Sequence, residues 1–209
     1  MEWNAIQTNA KSRGHLIFAI NQDQSSMRND PGPWGAIAGG VCLGLSAYWA
    51  ALGYQGKSFP LVGEVCETMP WQASLAQNAA AGVGADMPWR DYWTAAAHTF
   101  QCGISKGLHA TRYGKPTAGF LWSIMSQAYG CYGVTLIGTN DGVVAIHALT
   151  LRHGHDNRYH LFDANNFHVA MKGVDTFKDF VHDYLHATNY DKIFWQLTGV
   201  TGITPPISH

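Results

Sequence analysis

Three residues of this chain are of the types that together carry out acyl-transfer chemistry: a cysteine heading a helix, a histidine inside an apolar strand and an aspartate closing another. Cys42 follows Gly39-Gly40 and heads the segment Val41–Gly53, in which Leu45, Trp49 and Leu52 recur at spacings of four and three. That period is helical. At a helix N-terminus, unpaired backbone N–H groups and the positive end of the macrodipole favour a thiolate over a thiol. The glycines let the backbone pass close to the sulfur. Taken alone, a free cysteine is more often a small buried hydrophobe. His147 lies within Val143-Val144-Ala145-Ile146-His147-Ala148-Leu149, and a lone histidine in such a strand is ordinarily a hydrogen-bonded core residue. Asp163 closes Leu161-Phe162-Asp163, where a carboxylate requires a partner.

The spacing supplies that partner. A hairpin turn centred on His155, within Gly154-His155-Asp156-Asn157, would set His147 directly opposite Asp163. Opposite residues share a face, with Cα atoms roughly 4.5–5.5 Å apart. An aspartate accepting from one imidazole nitrogen fixes the tautomer and leaves the other nitrogen to take a proton from a thiol. The roles are then Cys42 as nucleophile, His147 as base and Asp163 as orienter.

The elements that must hold these residues are legible in outline. A strand is expected over His15–Ile20 and a polar loop over Asn21–Gly35. After the Cys42 helix, ended by Gly53, two helices open with Met69-Pro70-Trp71 and Met87-Pro88-Trp89, proline being favoured in a first helical turn. A further helix covers Thr117–Tyr129. The pattern then changes. Tyr132–Ile137, Val143–Leu151, Tyr159–Asp163 and Phe167–Met171 are short, β-branched and aromatic, with turn residues between them, and read as an antiparallel meander. A helix over Thr176–His186 and a strand over Lys192–Leu197 complete the chain. Helices first and sheet afterwards make an α+β domain.

Bulk composition narrows the function classes. The chain has 209 residues, 46% of them hydrophobic, enough for one core and one domain. Eight Trp, nine Tyr and nine Phe exclude a disordered chain. A net charge of −1, with no basic stripe, argues against a nucleic-acid partner. No apolar run approaches the roughly 18–20 residues needed to cross a bilayer. Met1-Glu2-Trp3-Asn4 lacks a basic n-region and Leu16–Ile20 is too short for a signal-peptide core. The four cysteines, Cys42, Cys66, Cys102 and Cys131, are widely spaced with no Cys-x-x-Cys pair. That speaks against a cysteine zinc site and for reduced thiols in an intracellular working environment.

Three blocks carry a resemblance. Gly40-Val41-Cys42-Leu43-Gly44-Leu45-Ser46-Ala47-Tyr48-Trp49 has small residues before the cysteine, then Leu, Ser and Trp three, four and seven positions after it. Val144-Ala145-Ile146-His147-Ala148 and Phe162-Asp163-Ala164-Asn165 follow in order. Together they resemble the cysteine motif, histidine strand and Phe-Asp-Pro-Asn block of the YopT/AvrPphB peptidases, a papain-like family of bacterial effector proteases and toxin domains. The resemblance spans about Gly39 to Leu197, and the helix carrying Phe177 and Phe180 is similar to the one that follows the block. Ala164 stands where the family has Pro, and Asn166 where a residue nearer Gly is expected. No amide side chain occurs in Ala36-Ile37-Ala38-Gly39-Gly40, where papain-like enzymes place an oxyanion donor. The Cys42 backbone N–H supplies one donor. Asn21, Gln22 and Gln24 are candidates for the second, and are equally readable as polar loop residues.

The resemblance implies a single papain-like domain over residues 1–209. Its segment 1–38 leads into the catalytic helix, and a helical N-terminal half packs on a C-terminal antiparallel sheet. It implies peptide-bond cleavage by Cys42, His147 and Asp163 with no cofactor and no metal. It further implies a protein substrate in a target-cell cytoplasm, reached by secretion without a signal peptide, and a cognate immunity protein or chaperone as partner. The same residue types serve a peptidoglycan amidase, which often has a second His where this chain has Asp163, and transglutaminase-type acyl transfer. A binding module with a relic triad is disfavoured because all three residues are intact. His153, His155 and His160 cluster around the hairpin turn, where a metal is conceivable and exposed turn histidines are the simpler reading. The tryptophans at helical spacing read as core; Trp34 and Trp49 could wall a cleft beside Cys42.

Overall fold

The computed structural model describes residues 3–13, 15–20, 42–59 and 88–206. In chain order these form α1 (Trp3–Ser12), β1 (Leu16–Ala19), α2 (Cys42–Tyr54), α3 (Trp89–Thr99), β2 (Gly103–Tyr113), α4 (Ala118–Met125), β3 (Gly130–Asn140), β4 (Val143–His153), β5 (Arg158–Asp163), β6 (Phe167–Lys172), α5 (Val174–Ala187), α6 (Tyr190–Ile193) and β7 (Leu197–Thr204). The strands make one seven-stranded sheet in the order β1-β6-β5-β4-β3-β7-β2, antiparallel at every pairing. The expected meander β3–β6 is its centre.

Alternation along the strands divides the interior in two. On one face Ala148, Phe162, Cys131 and Ile203 pack with α2 and α3. On the other, Leu136, Leu149, Leu161, Val169 and Val200 pack with residues of α1, α4 and α5 and with Tyr190 of α6. Helices therefore cover both faces of the sheet: the helical first half supplies α2 and α3 to one, and α5 returns from the C-terminal side to cover the other.

Glycines in the strands make room for the tryptophans of α3. Trp89 and Trp93 lie one turn apart on the same helix face. A Cβ at Gly199 would meet the Trp89 ring at 2.4 Å, and one at Gly133 would meet Trp93 at 2.5 Å. Trp93 is fully buried and its Nε1 donates to Thr135 Oγ1 at 2.9 Å. Gly133→Ala is therefore expected to overpack this contact and destabilise the fold by about 1–3 kcal/mol, read as a lower denaturant midpoint at unchanged slope.

Several boundaries differ from the sequence reading, each for a local reason. The Cys42 helix does not stop at Gly53. It ends in a glycine cap at Gly56 (φ +66), with Lys57 N donating to Leu52 O and Gly56 N to Gly53 O, the two bonds of a Schellman motif. The helix expected over Thr117–Tyr129 covers only Ala118–Met125, opened by the Thr117 side chain accepting from Phe120 N. The final strand is not Lys192–Leu197. Asn189 takes a left-handed conformation, Tyr190–Ile193 turns once as helix, and the strand runs Leu197–Thr204. Its glycines mimic a turn in sequence. Strand β2 and helix α1 were not anticipated. β2 is an edge strand, mostly half-buried or exposed, with an irregular register between Ile104 and His109, and from residue 5 onward α1 buries Ile6 and Ala10 alone. The Asn21–Gly35 loop, the helix opening at Met69 and Trp34 lie outside the described residues.

Candidate active site

The motif spacing after Cys42 falls on one face of α2, a helix buried on every side from Cys42 to Ala47. Leu45, Ser46 and Trp49 follow at three, four and seven residues, the positions that share a helix face, and all three are buried. Ser46 ties the helix to β4 twice. Its Oγ donates to Ala148 O at 3.3 Å, and its own carbonyl accepts from Thr150 Oγ1 at 3.0 Å. Trp49 stacks on Phe162, with ring centroids 5.5 Å apart. Cys42, the first residue of this helix, is thus held against the strand that carries His147.

His147 and Asp163 do meet, but not in the register that the sequence suggested. The ladder runs Thr150↔Phe162 to His153↔Tyr159, which centres the turn on Asp156 instead of His155. Continued one step, it sets Asp163 level with Leu149, two residues from His147. The contact is the diagonal one between same-face neighbours, which long side chains can span. His147 Nε2 donates to Asp163 Oδ1 at 3.0 Å. Cys42 lies near enough to the same imidazole for its thiol to help raise it. β5 ends at Asp163, so β4 runs on past it with no β5 neighbour.

Asp163 is wholly buried, yet both its oxygens are saturated. Oδ1 also accepts from Asn165 N at 2.7 Å. Oδ2 accepts from Asn166 Nδ2 at 3.1 Å, from Tyr190 OH at 3.0 Å and from Tyr184 OH. Burial would raise this carboxyl, but the His147 charge and the bonds from His147, Tyr184 and the Asn165 N–H together hold it below the usual aspartate value. Burial would likewise lower His147. The Asp163 charge and hydrogen bond, with the Cys42 hydrogen bond, outweigh it and raise the imidazole above its ordinary value. Tyr190 completes the cage: its hydroxyl lies 3.2 Å from His147 Nε2, and Phe194 stacks against the imidazole at 6.0 Å.

The two departures from the family block fit this geometry. Asn166 N donates to Asp163 O at 3.0 Å, a β-turn with Ala164 at the position where proline is favoured but not required. Neither Asn165 nor Asn166 has a positive φ, so no glycine is needed, and the Asn166 amide instead supplies a donor to the carboxylate. Tyr184, Tyr190 and Asn166 were missed in the sequence. In sequence Tyr184 looks like an apolar helix residue and Tyr190 falls between the expected helix and strand; only the fold brings their hydroxyls to Asp163.

The turn histidines do not converge. His160 Nδ1 lies 3.0 Å from His168 Nε2 on the α2 side, beside Trp49. His153 approaches Met125 O, and His155 packs on Tyr129. No group of three potential metal ligands occurs among the described residues. Asn21, Gln22, Gln24 and Cys66 lie outside the described residues.

The cysteines make a test. Cys42, Cys102 and Cys131 are free and buried. Burial pushes the Cys102 thiol up to about 11 and the Cys131 thiol up to about 12, so neither is a thiolate near neutrality. With iodoacetamide at pH 7, mass-spectrometric mapping is expected to find Cys42 alkylated first, with Cys102 and Cys131 far slower. Equal rates at the three would make Cys42 structural.

No protein-family model and no curated sequence matches the chain. Among solved structures it is similar to Pseudomonas avirulence protein AvrPphB, with a TM-score of 0.61 at 11% identity over 92% of this chain and 98% of that one. It also matches PatoxP, a cysteine protease-like domain of the Photorhabdus asymbiotica toxin PaTox, with a TM-score of 0.48 at 8% identity over 94% of this chain and 58% of that one. The fold is the papain-like arrangement of AvrPphB, with mixed helices and an antiparallel sheet.

Proposed function

We propose that the chain is a cysteine protease in which Cys42 is the nucleophile, His147 the proton carrier and Asp163 the group that orients His147. The observation that carries this reading is the imidazole held between two functional groups. Nε2 is bonded to a buried carboxylate, and the Cys42 thiol, at a helix N-terminus, is near enough to the ring to help raise it. With Nε2 engaged, Nδ1 is the nitrogen left to the thiol, and the raised imidazole favours a thiolate–imidazolium pair.

The chemistry follows from that pair. The Cys42 sulfur adds to the scissile carbonyl, and the oxyanion is met by backbone N–H at the start of α2. A second donor from Asn21, Gln22 or Gln24 is part of the proposal. His147 passes its proton to the leaving amine as the C–N bond breaks, leaving a thioester. It then takes a proton from water as water attacks the thioester, which restores the thiol pair and releases the carboxylate product. Asp163 does not touch substrate; it holds the ring and balances its charge. No cofactor or metal enters these steps.

We further read the chain as an effector or toxin domain acting on proteins inside a target cell, after secretion by a route that needs no signal peptide. An immunity protein or chaperone is the accompanying partner. No helix among the described residues is long and apolar enough to cross a membrane. The test is to incubate wild type and Cys42→Ala with target-cell lysate and, separately, with peptidoglycan sacculi. New protein N-termini that appear with wild type alone are the expected result. Muropeptide release without new N-termini would make the chain an amidase, and amine incorporation without cleavage an acyltransferase.

A further inference from the structure

Strand β4 outruns its neighbour beside the candidate active site. It pairs with β3 along its whole length, from Val143↔Asn140 to His153↔Gly130, but with β5 only over Thr150–His153. From Val143 to Leu149 the β5-side edge therefore has no strand partner among the described residues. Exposed edges are normally blunted by charge, proline or a bulge. Val143–Thr150 contains no Lys, Arg, Asp, Glu or Pro, and its pairing with β3 is regular throughout.

The side chains on this stretch are unusual for a surface. Val144, Ile146, Ala148 and Thr150 share one face by alternation. α2 covers the far end of the row, where Thr150 is tied to Ser46 and Ala148 is buried. Further along the row Ile146 is 58% and Val144 66% exposed, and no described helix covers them. Trp195, 53% exposed, flanks the same arm, its Nε1 donating to Thr139 Oγ1 at 3.1 Å. Thr139 is the β3 partner of Val144. An apolar row on the strand that carries His147, bordered by a tethered indole, marks a binding surface, not a scatter of surface residues.

We infer that the Val143–Ile146 edge binds the leaving side of an extended polypeptide substrate, which adds as a strand and lays apolar side chains against Val144 and Ile146. This rests on the protease reading above. A peptide whose carbonyl is at Cys42 and whose amine is at His147 must continue past His147, and β4 there has backbone groups with no strand partner among the described residues. Main-chain bonds to such an edge hold an extended chain, while alternate side chains confer the preference. Residues two apart on a strand stand roughly 6.6 Å apart on one face, so two substrate side chains on one face match Val144 and Ile146.

The test is cleavage-site profiling of a proteome-derived peptide library by mass spectrometry, with wild type and a Val144→Lys/Ile146→Lys variant. Both positions are exposed, so the melting temperature and the rate of Cys42 alkylation are expected to stay at wild-type values. Wild type is expected to enrich Val, Ile, Leu or Phe within the first three leaving-side residues. The variant should lose that enrichment and about tenfold or more in kcat/KM on the preferred peptides, the worth of one buried aliphatic side chain. Cleavage by wild type with no leaving-side preference, or with one the variant keeps, would overturn the inference and leave the protease reading standing. A large fall in melting temperature would show the row to be covered by the chain itself, and a wild-type dimer that the variant dissolves would make it an interface between copies; both overturn the inference. No cleavage of the library or of any protein by wild type would remove the protease reading, and this inference with it.

Discussion

Cys42→Ala is expected to abolish turnover, and His147→Ala to come close to doing so. Without the sulfur no acyl-enzyme forms. Without the imidazole, the thiolate loses its counter-ion and the leaving amine loses its proton donor. Where nucleophile and base act as one unit, either loss alone is on the order of 10⁶-fold in kcat, and combining them adds little. Measured as appearance of cleaved product from a lysate-derived substrate, the single variants and the double variant should therefore be nearly indistinguishable. Circular dichroism and melting temperature separate chemistry from folding. Cys42 is a small side chain whose replacement by Ala alters little volume, so that variant should melt near wild type. A Cys42→Ala protein that still cleaves would reassign the nucleophile.

The second large effect concerns Asp163. Asp163→Ala is expected to cost folding as well as chemistry. The side chain is fully buried and accepts from His147, Asn165, Asn166, Tyr184 and Tyr190. Truncation strands those donors and leaves His147 without its counter-charge. Breaking a buried pair in this way costs about 3–5 kcal/mol, or on the order of 10 °C in melting temperature at this chain length. Loss of activity in Asp163→Ala would therefore report unfolding as much as mechanism.

Asp163→Asn is the informative change. Its shape fits, but one side of the amide must now present N–H groups, either to His147 or to the Asn166, Tyr184 and Tyr190 donors. If it faces His147, the ring takes the tautomer with its hydrogen on Nδ1, towards the thiol. The same replacement in a Ser-His-Asp triad costs about 10⁴-fold in kcat. A thiolate–imidazolium pair partly survives without its orienter, so a smaller but still large loss is expected here, with melting much closer to wild type than for the alanine variant. Full activity in a folded Asp163→Asn protein would show that Asp163 is not the orienter. Tyr184→Phe probes the same carboxylate from its other oxygen. Because the Tyr184 bond helps hold Asp163 below the usual value, its loss should raise the Asp163 pKa. The acid limb of the pH–activity profile should then move to higher pH.

The local part of this arrangement was legible in the chain. Cys42 was legible as the head of a helix because Leu45, Trp49 and Leu52 recur at spacings of four and three, and the helix period is a property of adjacent residues. The meander was legible because its strands are short, β-branched and separated by turn residues. The pairing of His147 with Asp163 was readable because a hairpin is nearly local: one turn relates the two strands. Even there the register was off by two residues, since Gly154-His155-Asp156-Asn157 admits more than one turn centre. Parity protected the conclusion, because a shift of two keeps both side chains on the same face.

Tertiary structure alone decided the rest. Nothing near Asp163 in sequence announces that Tyr184 and Tyr190 hold its second oxygen, because those hydroxyls arrive from α5 and α6 by packing over the sheet. Nor could composition show that β5 stops where β4 continues, which leaves the Val143–Leu149 edge of β4 without a β5 neighbour. A strand edge is open or closed according to which strand comes beside it, and that neighbour is chosen by the whole sheet.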